Sequence, residues 1–270
     1  MKRTLALIWH SWRRSRPLVL LVATLLALFQ VVMVLAAQTL QTTGTLSQLS
    51  GLVPPVIRVI LGPALISVMS FAGVTLVGYF HFAVVAALAG LAIALCTELT
   101  GEIEIGFADL LLSRPLDRSN LVTRSVVMLL AASALIVLAM WAGTGIGLRF
   151  LTPADTAGPS WRLVFTLGAN LWALVVCWGS IALLTSTFCR RRAVASATAG
   201  LLALFAFLLD YVARFWKPAG SVAWLSPFQY YSGMDLIMGR QLATRHVTIL
   251  LVVALVAVLG AYAAIRRRDI

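Results

Sequence analysis

Five of the nine acidic residues in this 270-residue chain fall between Glu98 and Arg124: Glu98, Glu102, Glu104, Asp109 and Asp117. The stretch reads ELTGEIEIGFADLLLSRPLDRSNLVTR, and the rest of the chain is apolar and basic. A short helix is expected within it. Gly101 opens a turn, Glu102, Glu104 and Asp109 favour the first part of the helix, and Pro115 stops it. Leu110, Leu111 and Leu112 add an apolar triplet, and Arg114 and Arg118 add charges of the other sign. Held between two long apolar runs, such a helix is a docking surface. The plainer alternative is a solvated connection whose acidity aids solubility.

Other chemistry has little support. No HExxH occurs, and His10, His81 and His246 stand far apart, which argues against a zinc site. No GxSxG elbow is present, and the Gly179-Ser180 pair has no histidine base near it. A P-loop needs a lysine after a glycine-rich turn, yet the only lysines are Lys2 and Lys217, and neither is in that setting. Cys96, Cys177 and Cys189 lack metal-ligand spacing and read as packing residues. No catalytic, cofactor or metal residue is therefore assigned. Within the apolar runs, Gln30, Thr166 and Asn170 are the notable polar residues, read as bonds across helices or as part of a pathway. Asp210 and Arg214 are spaced to pair one turn apart.

The elements that carry these residues follow from composition. Hydrophobic residues make up 61% of the chain, charged residues 11%, and the mean hydropathy is +0.99. A soluble domain carries about 25% charged residues, so the expected solvent is lipid. The net charge of +12 sits in short clusters between apolar runs, a topological pattern that argues against nucleic acid. Six spans are drawn at 18–37, 79–97, 125–148, 163–188, 193–213 and 247–265, in one transmembrane domain covering 1–270. All nine prolines fall at span ends or outside them. With six spans, fourteen of the 21 Lys and Arg residues lie on one side, whereas a seventh span within 59–79 leaves eleven against ten. The positive-inside rule thus favours six spans with both termini cytoplasmic, and leaves 38–78 as an external segment. No cleavable signal peptide is expected, because the first apolar run continues for a full span.

Three further features are legible. Leu5, Ile8, Trp9 and Trp12 recur at helical spacing opposite basic residues, so 1–16 reads as an interfacial amphipathic helix or a plain topology signal. Small residues recur at four-residue steps in Ala86/Gly90/Ala94, Gly143/Gly147 and Ser196/Gly200, a pattern that lets helix backbones approach. Trp216, Trp224, Phe228, Tyr230 and Tyr231 read as an aromatic belt at the outer surface, with a lid over a pathway as the alternative.

The loop TGEIEIGFADLLLSRPLDR resembles the coupling loop of ABC-2 type transporter permeases. Glu102 and Glu104, Gly106, Leu111 and Leu112, then Ser113, Pro115 and Arg118 follow that pattern in order. Ser226-Pro227-Phe228 with Tyr230 and Tyr231, Gly239 and the ending Arg267-Arg268-Asp269 are similar too. The chain departs from the family where Ile105 precedes Gly106 and Phe107 replaces a threonine. The resemblance implies an all-α integral membrane fold, the permease subunit of an ATP-driven exporter in a plasma (inner) membrane. It implies a dimer, of two copies or with a second permease, working with a separate P-loop ATPase that binds the ATP. The docking residues implied are Glu102, Glu104, Gly106, Asp109, Leu110, Leu111, Leu112, Arg114, Pro115 and Arg118. An intramembrane enzyme and a membrane anchor or assembly factor are the competing readings.

Overall fold

The computed structural model describes residues 2–44, 68–106, 117–154, 156–231, 233–239 and 243–267. The described chain is all-α. Its helices are α1 (Lys2–Thr42), α2 (Phe71–Phe80), α3 (Phe82–Cys96), α4 (Glu98–Glu104) and α5 (Ser119–Leu151). There follow α6 (Trp161–Phe188), α7 (Arg192–Ala213), α8 (Lys217–Gly220), α9 (Gly233–Ile237) and α10 (Thr244–Arg267). Two 3₁₀ turns, Ala223–Leu225 and Pro227–Tyr230, join α8 to α9. Among the described residues six helical stretches are long and apolar enough to cross a membrane: α1, the run α2–α4, α5, α6, α7 and α10.

Helix α6 is the centre of the bundle. Leu167, Leu171, Leu174, Cys177, Ala182 and Leu183 along it are fully or almost fully buried. By contrast α7 exposes Leu201, Leu204, Phe205 and Leu208 along its outer face, and α1 exposes Leu20, Leu21, Leu25 and Leu28. Apolar faces of that extent are stable only against lipid or protein. The chain is thus a multi-span helical protein of the kind that resides in a membrane.

Close packing relies on glycine at two positions of the α1–α5 crossing. A Cβ on Gly143 of α5 would overlap the Ala27 backbone of α1, and one on Gly147 would sit 2.8 Å from Val34 Cγ2. The Gly143/Gly147 pair therefore does what its spacing suggests. Ser196 of α7 also makes an interhelix contact, with its hydroxyl 2.9 Å from Thr97 Oγ1. The stripe Ala86/Gly90/Ala94 behaves differently: a Cβ on Gly90 would meet nothing within 4 Å.

The structure departs from the sequence expectations at α1 and at the second span. Residues 2–16 do not form a separate helix; α1 runs through Pro17 without interruption. Proline removes one ladder bond, and the flanking turns carry the helix across it. The face α1 turns inward is Ser11, Ser15, Val19 and Ala23, while Trp9 points outward. The second span begins at Phe71 rather than Tyr79, so the end of the supposed external segment is a packed helix with Phe71, Leu76 and Tyr79 buried. The remainder of that segment, 45–67, lies outside the described residues.

That second span is broken at His81, whose backbone is extended (φ −59, ψ 130). The break is satisfied from both sides. His81 Nδ1 accepts from Ala83 N at 3.3 Å, and the Tyr231 hydroxyl donates to the Tyr79 carbonyl at 2.8 Å. A helix interruption within an apolar span survives only when its freed backbone groups find such partners.

Candidate functional site

The seven residues of α4 form a polar junction at the end of the bundle where the basic clusters gather. Glu98 faces α1: Arg14 Nε lies 3.2 Å from its Oε1, and the Ser15 hydroxyl donates to its Oε2 at 3.5 Å. Glu102 faces α5, where Arg124 Nη2 donates to its Oε2 at 2.6 Å, with both side chains only 4% exposed. Thr100 donates to the Ser186 carbonyl at the end of α6 at 2.7 Å. Glu104 accepts from the backbone N–H of Arg192 at 2.8 Å, and so caps the first turn of α7. Each of these four side chains fastens α4 to a different long helix.

The geometry follows from the local sequence. Glu98 and Glu102 are four apart and Thr100 and Glu104 are four apart, so one short helix presents polar groups on two faces. Gly106 ends the helix with φ +71, a left-handed conformation that glycine adopts without steric cost. The Ile105 and Gly106 N–H groups bond back to the Gly101 and Ile103 carbonyls. Gly101 itself opens no turn; it lies inside the helix, where a Cβ would come 2.9 Å from Arg192 Cδ. The expected single helix from Glu102 to Leu112 is likewise corrected, since the left-handed turn at Gly106 stops it at Glu104.

Glu102 is corrected in a second respect: its carboxylate is buried against Arg124 and is not part of an open surface. Glu104 and Ile105 are exposed, and Arg118 is half-buried at the entry to α5. Asp109, Leu110, Leu111, Leu112, Arg114 and Pro115 lie outside the described residues. Beside α4 a cavity of about 830 Å³ opens at the same end, lined by Ile103, Thr187, Phe188, Arg190, Gly260 and Arg267 among others.

The intramembrane candidates separate. Gln30 is fully buried with both amide atoms lacking a hydrogen bond, its head pressed against Gly78. Asn170 is fully buried and equally unpartnered, whereas Thr166 bonds its own helix at the Arg162 carbonyl and is half-exposed. Among the described residues no group of three or more His, Cys, Asp or Glu side chains is arranged to hold a metal.

The opposite end of the bundle carries a second polar and aromatic cluster, of which the sequence reveals only part. Asp210 and Arg214 pair at 2.7 Å as their spacing suggests. Trp216 and Trp224 are exposed as belt residues should be. Phe228 is instead buried, stacked obliquely on Trp178, and Ser226 is anchored by donation to the Ala206 carbonyl at 2.8 Å. Burial also pushes the Tyr231 phenol above its usual range.

Comparison with known protein families and with curated proteins finds no match for this chain.

Proposed function

We propose that this chain is the membrane subunit of an ABC-type exporter, driven by a separate P-loop ATPase that docks on the segment following α4. One observation carries the reading: Glu98, Thr100, Glu102 and Glu104 tie the root of that segment to α1, α6, α5 and α7. A displacement of residues 107–116 has a short, stiff path into four spans at once. The missing P-loop fits this division of labour, since the ATP-binding machinery then belongs to the partner.

In this reading Leu110–Leu112 supply the apolar anchors of the docking surface, and Asp109, Arg114 and Arg118 fix its register. Glu102 transmits and does not dock. Both termini face the cytoplasm of an inner or plasma membrane, and a second permease copy or a related permease completes the pathway. Rigid tilting of the spans about that junction gives alternating access.

The test is co-purification with a P-loop ATPase. Leu111→Asp combined with Leu112→Asp is expected to abolish association while the protein still assembles in the membrane. Glu102→Leu combined with Arg124→Met, a buried pair remote from the surface, is expected to leave association intact and to impair ATP-dependent transport by the reconstituted pair. Normal association of the double Asp variant would defeat the proposal.

A further inference from the structure

At the end of the bundle opposite α4, a chamber of about 470 Å³ lies beside the His81 break. Its size is within the range of small-molecule sites. Phe80 and Phe82 enter it from the two sides of the break, Phe207 and Tyr211 from α7, and Phe228 and Tyr231 from the segment between α8 and α9. Each wall is held. Tyr231 is tied to the Tyr79 carbonyl, Phe228 packs edge-on to Phe207 with centroids 5.6 Å apart, and Gly233 sits where a Cβ would come 2.8 Å from that of Phe80.

One ion pair reaches into this aromatic cleft, which is open on the side of Phe82 and Tyr211. The Asp210 side chain is 9% exposed, whereas that of Arg214, which lines the same chamber, is 65% exposed. Within the pair the carboxylate is thus the interior charge, and its counter-ion is a flexible side chain reaching in from outside. A second, half-buried carboxylate, Asp235, also lines the chamber and adds to its preference for a cation. A buried carboxylate needs a cation beside it. Aromatic faces also favour a cation, through the negative potential of their π surfaces.

We infer that this chamber binds a lipophilic organic cation, whose positive centre replaces the Arg214 guanidinium against Asp210 while its apolar body lies among the six rings. Arg214 is then a resident stand-in that holds the site closed when it is empty. Binding needs no ATPase, so the inference stands apart from the export reading.

The probe is tetraphenylphosphonium, and tetraphenylborate serves as a ligand of the same shape and opposite charge. Equilibrium binding is measured on the full-length protein in lipid nanodiscs, with empty nanodiscs subtracted. Saturable binding of the phosphonium is expected, with the borate at least about tenfold weaker. Asp210→Asn is expected to weaken phosphonium binding by about tenfold, and Phe207→Leu by about two- to fivefold. Arg214→Gln is expected to tighten it, because the internal competitor is gone. Phe207→Leu and Arg214→Gln alter partly exposed side chains, so they remain informative if Asp210→Asn fails to fold. Borate binding as tight as the phosphonium, or weaker phosphonium binding in Arg214→Gln, would overturn the assignment. Failure here, with ATPase association intact, would leave the proposed export role standing.

Discussion

Glu102 and Arg124 face each other across 2.6 Å with almost no solvent on either side. Removing two charges from water costs several kcal/mol per ion, and the pair recovers this only while both partners are present. Arg124→Met is therefore expected to destabilise the fold by about 3–5 kcal/mol, because an uncompensated carboxylate stays buried. Glu102→Leu combined with Arg124→Met is expected to recover most of that loss. Thermal or denaturant unfolding of the purified protein checks both. Equal destabilisation of the single and double variants would mean that the pair contributes shape alone. The charge type at both positions is plain in the sequence. Their pairing was not, because twenty-two residues separate them and an acid in a basic protein reads first as surface.

Helix packing offers a sharper contrast at the scale of elements. Gly143 and Gly90 both belong to small-residue stripes with the same four-residue step. A methyl group on Gly143 would run into the Ala27 backbone, which cannot yield as a side chain can. Gly143→Ala is expected to cost about 1–3 kcal/mol by overpacking. Gly90→Ala faces open space and is expected to be neutral, or stabilising by up to about 1 kcal/mol through helix propensity. The same unfolding measurement, run on both variants, decides it; equal effects would mean that the α1–α5 contact is looser than described. The second span makes a related point. Its apolar run is continuous in sequence, yet it is broken at His81, because Tyr231, one hundred and fifty-two positions along the chain, supplies the hydroxyl that the freed Tyr79 carbonyl needs.

For the whole molecule, the outward faces of α1 and α7 require lipid or a protein partner, and with the helices spanning a membrane the two polar ends of the bundle are expected on opposite sides of it. Ile105 is exposed beside α4, and Phe215 is exposed just beyond α7 at the other end. Cys96 and Cys177 are buried, so replacing Cys189 by serine leaves little background for thiol labelling. In intact cells a membrane-impermeant maleimide is expected to modify Phe215→Cys and to spare Ile105→Cys until the membrane is opened. The reverse pattern would place the α4 junction outside the cell, where no ATP-driven partner could reach it.

Length and composition were enough to specify the six apolar helices found among the described residues and where most of them lie, because the cost of burying backbone and charge in lipid acts on each segment separately. The i,i+4 pairing of Asp210 with Arg214 was legible for the same reason: both groups lie on one helix. What neighbours decide was not legible. The burial of Glu102, the capping of α7 by Glu104, the break at His81 and the inward turn of Phe228 each depend on a group brought near by packing between helices. Spacing along the chain carries no trace of a partner twenty to one hundred and fifty residues away, and only the folded bundle supplies it.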